Sequence, residues 1–293
     1  VTAPASGSGP LAGRRLGIVG GGTMGAGIAQ VALVAGAVVV VVEADSVAAS
    51  AARHRVAVGL EREARRGRLE GSPDECLARL RVGDAPAALA EVDLALEAVP
   101  ESVPLKRDVL TGIEAVVAES TVIATNTSSL ALADLLPALR RPGRFCGLHF
   151  FNPVPRSALV EVVRHPTTEP ETLRAAHQLA AALGKETIEV ADAPGFATSR
   201  LGVAIGLEAL RMLEEGVASA EDIDRGMVLG YRYPMGPLRL SDLVGLDVRL
   251  AIAEYLASRL GPRFEPPALL RQLVASGRLG RKTGQGIYRW ESE

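Results

Sequence analysis

The chain has 293 residues, long for one hydrophobic core and comfortable for two domains. Its 32 basic and 34 acidic side chains leave a net charge of −2, which gives no reason to expect nucleic acid or an anionic membrane surface as a partner. Two cysteines, Cys76 and Cys146, are too few for a disulfide framework and fit a reducing compartment, the cytoplasm being expected, or simple indifference to redox.

Residues 1–13 read as a flexible lead-in without the basic start or apolar core of a secretory signal. Arg15 to Gly20 is a short apolar strand that runs into a glycine turn, and Ala26 to Ala35 has the length and composition of a helix. Gly36 stops that helix and Ala37 to Glu43 follows as a β-branched run, the pattern of a strand buried on both faces of a parallel sheet. The stretch Val31 to Val42, twelve residues interrupted by Gly36, is too short to span a bilayer. Ser46 to Asp84 is polar, and its arginine- and glutamate-rich centre, Val56 to Leu69, reads as a protruding helical pair outside the core. Further strands are expected at Val92–Val99, Thr121–Thr127, Arg144–Phe151, Leu159–Arg164 and Glu186–Val190. Alternating strands and helices predict an α/β, doubly wound Rossmann-type sheet over residues 14–191. Beyond Pro194-Gly195 the pattern turns helical: Phe196 to Glu215 is amphipathic and ends at Gly216, and Ser219 can cap the next helix. Residues 192–293 are therefore expected to form an all-helical domain.

The glycine turn carries the first chemistry. In Gly20-Gly21-Gly22-Thr23-Met24-Gly25, Gly20 permits the turn, Gly22 clears space for a pyrophosphate, and Gly25 lets the helix pack close to the sheet. The helix start offers unpaired N–H groups to phosphate. Glu43, eighteen residues after Gly25, can accept both ribose hydroxyls and would repel a 2′-phosphate, so NAD is expected over NADP.

His149, in Gly147-Leu148-His149-Phe150-Phe151-Asn152-Pro153, has Glu161 twelve residues downstream. An isolated histidine at a strand end is commonly a satisfied core residue. An imidazole beside a redox cofactor is also what dehydrogenation of an alcohol needs. His54, His165 and His177 have no such context and read as surface residues.

The chain resembles the 3-hydroxyacyl-CoA dehydrogenases, and within them the single-function 3-hydroxybutyryl-CoA type. The likeness is carried by GGGTMGAGIAQ (20–30), LEAVPE (96–101), ATNTSSL (124–130), GLHFFNPVP (147–155), LVEVV (159–163), DAPGFATSRL (192–201), YPMGP (233–237) and GRKTGQGIY (280–288). The resemblance implies reversible NAD-dependent oxidation of an (S)-3-hydroxyacyl-CoA, with a short acyl chain and no metal. It implies His149 as general base, Glu161 fixing the imidazole tautomer by the logic of a triad acid, and Ser128 bonding the substrate's oxygens. Asn126 would order the loop near the nicotinamide, Glu97 and Lys106 would line the cofactor's ribose, and Asn152 would lie beside the site. Ser199 stands where the family has asparagine in PGFxxNR and offers a single, shorter hydroxyl; it is still expected to face the substrate. Ala158 stands where relatives often carry lysine. For the CoA phosphates the candidates are Arg62, Arg65, Arg68 and above all Arg66, with Gly59 where relatives use serine. A homodimer through residues 192–293 is expected. The competing readings are a dehydrogenase of a free hydroxy or sugar acid, of the L-gulonate type, and a crystallin-like protein that binds NAD without turnover.

Overall fold

The computed structural model describes residues 9–291. The chain divides into two compact units, the first ending at Ala193 and the second beginning at Pro194.

The first unit opens with β1 (Arg15–Val19), α1 (Thr23–Val34) and β2 (Val38–Val42), then α2 (Ser46–Arg65), α3 (Pro73–Leu77) and β3 (Leu80–Gly83). It continues through β4 (Leu94–Glu97), α4 (Val103–Val116), β5 (Val122–Thr125), α5 (Leu132–Leu135), β6 (Phe145–Phe150), β7 (Leu159–Arg164), α6 (Pro170–Ala182) and β8 (Glu186–Ala191). The eight strands form one sheet in the order β3-β2-β1-β4-β5-β6-β7-β8. All neighbours pair in parallel except β6 and β7, which are antiparallel. Chain order reverses between β1 and β4, so the crevice at the carboxyl ends of these strands is a topological switch point, where such sheets take their ligands. The carboxyl ends of β5 and β6 lie along the same edge, and antiparallel β7 starts from it.

Two expectations need correction. The polar interlude hides a strand: Leu80–Gly83 pairs with β2 at the sheet's edge. Its helical part is also not merely protruding. Ala49, Ala52, Val56 and Leu60 in α2 are buried, a stripe at i, i+3, i+7 and i+11 that packs into the core among the arginines and glutamates of the outer face. Of the lead-in, residues 1–8 lie outside the described residues. Leu11 is buried and its N–H donates to Ala35 O at 2.8 Å, which ties the segment before β1 to the core.

The second unit consists of α7 (Thr198–Glu214), α8 (Ala220–Gly230), α9 (Pro237–Val244), α10 (Leu246–Leu260) and α11 (Ala268–Ala275). Its core joins Val203, Leu207 and Leu210 of α7 to Leu238, Leu246, Leu256 and Leu270. Buried Asp242 accepts hydrogen bonds from the N–H groups of Ile287 and Tyr288 and from the Trp290 indole, each at 2.9 Å, and so holds the C-terminal turn against α9. No helix among the described residues is long and apolar enough to cross a membrane.

Candidate active site

The nucleotide fingerprint folds as its glycines require. Gly20 has φ +95°, and a Cβ there would meet Ala98 O at 2.8 Å. A Cβ on Gly25 would lie 1.8 Å from Gly20 O, so α1 can leave the turn only if position 25 lacks a side chain. At Gly22, by contrast, a Cβ would meet nothing within 4 Å: the space is open, not packed. Gly22 precedes α1 without a side-chain cap, and no acid occupies the first turn with Thr23 and Met24. An open cradle at an uncapped helix N-terminus fits a pyrophosphate. Glu43, just past β2, accepts from Gly21 N–H at 2.6 Å, which fixes its carboxylate beside the turn. The residues present therefore fit a dinucleotide with free ribose hydroxyls.

The imidazole pair is set by strand register. His149 on β6 lies directly opposite Glu161 on β7, so both side chains leave the same face of the antiparallel pair. His149 Nδ1 is 2.6 Å from Glu161 Oε2, with the two side chains 7% and 0% exposed. Such a short contact in a dry setting is a charge-assisted hydrogen bond whenever the imidazole holds a second proton. The Phe151 ring packs 4.4 Å from the imidazole, centroid to centroid. Asn126, at the end of β5, accepts from Phe150 N–H at 3.0 Å and so links the NTSS loop to the strand carrying the histidine.

A second buried network orders that loop. Glu97 accepts from Lys106 Nζ and Val99 N–H at 2.7 Å and from the Thr125 hydroxyl at 2.6 Å. Its side chain is 0% exposed. Burial pushes its carboxyl up, against the pull of Lys106 and the other donors. The structure thus places Glu97 and Lys106 buried at the end of the sheet, where their bonds order this loop. Lys106 Nζ also lies 3.3 Å from Glu101, whose side chain is one-third exposed. Glu101 Oε1 gathers the loop: it accepts from the Thr127 hydroxyl at 2.5 Å, from Ser128 N–H at 2.9 Å and Oγ at 3.3 Å, and from Ser129 N–H at 3.2 Å. Burial would raise the Glu101 carboxyl, but Lys106 and these donors outweigh it and hold it below the ordinary range. Sequence reasoning did not single out Glu101. The available signal was an acid five positions before a lysine on one helix start; its actual partners are 26 to 28 residues away.

The remaining candidates are placed separately. Asn152 is exposed and begins the turn between β6 and β7 with a cis bond to Pro153. Lys185 donates to the carbonyls of Val154 and Ser157 at 2.7 and 2.6 Å, anchoring that turn from β8's side. Arg66 ends α2 and pairs with Glu63 at 3.1 Å, while Arg62, Arg65 and Arg68 are exposed. A Cβ at Gly59 would strike Gln30 Oε1 at 2.2 Å, so position 59 faces α1. Ser199 lies half-buried in the first turn of α7, in the second unit. Glu43, Glu101, Ser128, His149 and the fingerprint all sit at the carboxyl edge of the parallel strands, which is the edge where chemistry on a bound dinucleotide would take place.

Comparison with known proteins agrees with this arrangement. Residues 15–193 match the model of the 3-hydroxyacyl-CoA dehydrogenase NAD binding domain, and residues 195–290 that of the 3-hydroxyacyl-CoA dehydrogenase C-terminal domain. A probable 3-hydroxybutyryl-CoA dehydrogenase of Deinococcus radiodurans is 39% identical over 94% of this chain and 100% of its own length. Among solved structures, FadB2 of Mycobacterium tuberculosis superposes with TM-score 0.91 at 39% identity, covering 95% of this chain and 99% of that one. The (S)-3-hydroxybutyryl-CoA dehydrogenase PaaH1 of Ralstonia eutropha gives 0.90 at 41% identity, covering 95% and 99%. With these two family models together matching residues 15–193 and 195–290, the chain belongs to the 3-hydroxyacyl-CoA dehydrogenase family.

Proposed function

We propose that the chain interconverts short-chain (S)-3-hydroxyacyl-CoA and 3-oxoacyl-CoA with NAD, and that His149 moves the proton. The observation that carries the proposal is the buried His149–Glu161 pair, 2.6 Å apart at the edge that bears the nucleotide turn. NAD would accept hydride in oxidation and NADH would return it in reduction. His149 takes the proton of the 3-hydroxyl and gives it back in reduction; Glu161 holds Nδ1, orients the ring and balances the positive charge the imidazole acquires. Gly22, Thr23 and Met24 would meet the pyrophosphate, and Glu43 the ribose hydroxyls, favouring NAD over NADP. Ser128, oriented by Glu101, would bond the substrate's oxygens. Ser199 would contact the thioester side with a shorter reach than asparagine. Asn152 would lie beside the nicotinamide, and Arg66 would exchange Glu63 for a CoA phosphate.

A cytoplasmic location and a homodimer through residues 192–293 belong to the same proposal. Cys76 and Cys146 are buried as free thiols, and Leu240, Val244 and Val248 in the second unit are 40–43% exposed, apolar surface suited to a second copy. The test is loss of the NADH absorbance band with acetoacetyl-CoA as oxidant. Turnover with the CoA ester and none with free acetoacetate or oxidised sugar acids is the expected result. Turnover with the free acids and none with any 3-oxoacyl-CoA would overturn it.

A further inference from the structure

Helix α2 packs directly on the nucleotide turn. Its buried stripe brings Ala52, 0% exposed, against Gly21, where a Cβ would lie only 2.4 Å from the Ala52 Cβ. Three residues on, along the same side of the helix, Arg55 reaches back to that turn, and its Nη1 donates to Gly21 O at 3.2 Å. Arg55 is exposed, and among the described residues no carboxylate pairs with its guanidinium. A surface arginine with no acid to hold it is therefore directed onto one backbone carbonyl of the cofactor turn.

That carbonyl belongs to the peptide joining Gly21 to Gly22. The peptide is trans, so its C=O and its N–H point in opposite directions. The C=O faces α2 and Arg55; the Gly22 N–H faces away from them. This N–H has no hydrogen-bond partner among the described residues, and a Cβ at Gly22 would meet nothing within 4 Å. The preceding peptide is held too, because Gly21 N–H donates to Glu43 at 2.6 Å. An acid and a base thus fix the two successive peptides that flank Gly21. Glycine on both sides leaves the Gly21–Gly22 peptide otherwise free to rotate. A donor on its carbonyl restrains that rotation and also polarises the amide, which makes the opposite N–H a better donor.

We infer that Arg55 is a positioning residue for the dinucleotide: it holds the Gly21–Gly22 peptide from behind and so presents the Gly22 N–H to the pyrophosphate. The inference rests on the proposed placement of the pyrophosphate at Gly22. The guanidinium acts through the carbonyl, on the far side of the peptide from the ligand, and touches no phosphate itself.

The experiment titrates NADH, by its fluorescence, into wild type, Arg55→Ala and Arg55→Lys, with urea unfolding of each protein alongside. Arg55→Ala should raise the NADH Kd about tenfold, the scale of one hydrogen bond from a charged donor, while KM for acetoacetyl-CoA stays within about twofold. Lysine can still donate to Gly21 O, so Arg55→Lys should recover most of the affinity. A hydrogen bond carries the effect, so the difference between wild type and Arg55→Ala should persist at about 0.5 M salt, where attraction between distant charges is screened. A difference that vanishes at that salt concentration would assign Arg55 to general attraction of anions and overturn the inference. A raised KM for acetoacetyl-CoA with NADH affinity intact would place the residue at the CoA ester and overturn it as well. Wild-type NADH affinity in Arg55→Ala, whether or not the variant unfolds at lower urea, would make the bond merely structural and leave the proposed function standing. A wild type that binds no NADH would overturn the proposed function and this inference with it.

Discussion

Glu161→Gln isolates what the carboxylate does for His149. The glutamine keeps the side-chain length and an oxygen that can accept from Nδ1–H, so the change removes charge and little else. In the native pair the 2.6 Å contact is fully shielded from water on the Glu161 side. A charge-assisted hydrogen bond contributes about 1.5–3 kcal/mol, roughly twice a neutral one. Replacing the anionic acceptor with a neutral one therefore removes about 1–2 kcal/mol from any state in which the imidazole is positive. That state is the one reached as His149 takes the substrate proton, so kcat for oxidation should fall about 5–30-fold. The NADH dissociation constant, read by fluorescence titration, should not change, because neither partner belongs to the fingerprint. Glu161→Ala should be worse in both rate and Tm, since it leaves His149 Nδ1 facing a cavity. A Glu161→Gln enzyme whose kcat stays within about twofold of wild type, with NADH binding and Tm unchanged, would refute the reasoning.

Gly22→Ala and Gly25→Ala separate ligand space from packing. The first adds a methyl to open space and should leave Tm alone while weakening NADH at least tenfold, on the order of the ~1.4 kcal/mol a misplaced phosphate costs. The second places a Cβ 1.8 Å from Gly20 O and should lower stability by about 1–3 kcal/mol or more, read by urea unfolding. Glu43→Ala should reduce the ratio of NAD to NADP in kcat/KM, by about tenfold for one lost charge repulsion; an unchanged ratio would remove Glu43 from cofactor choice. Glu114 is buried at the end of α4, where it accepts from Arg140 and Arg141 N–H at 2.8 Å. Burial opposes its ionisation, but these donors and the Arg141 guanidinium outweigh it and hold the carboxyl below the ordinary range. A depressed acid contributes stability that is complete above its unfolded value and is lost as pH falls through the folded one. Wild-type Tm should therefore drop below about pH 4, and Glu114→Gln should begin lower and fall less steeply.

Much of this was legible in the chain. β1, the glycine turn, α1, β2 and Glu43 follow one another without insertion, and each step has a local signature, so the nucleotide-binding start could be read directly. The His149–Glu161 pair was legible as two residues of the right type, but its geometry depends on β6 and β7 being antiparallel in one register, which no local pattern states. β3 was missed because four residues at a sheet's edge, LRVG, bury only Leu80 fully and lie inside a charged stretch. The same charges concealed the Ala49–Leu60 stripe of α2, since composition averages over a helix while burial selects one face. Glu101 escaped because its function is to collect donors from a distant loop.

The most direct test of the central claim is His149→Ala with acetoacetyl-CoA and NADH, read together with NADH affinity. General-base loss should lower kcat about 10²–10⁴-fold with NADH binding preserved, because the imidazole belongs to the chemistry and the glycine turn to the cofactor. An alanine variant that reduces acetoacetyl-CoA at nearly the wild-type rate would contradict the account, whatever the fold and the family resemblance suggest.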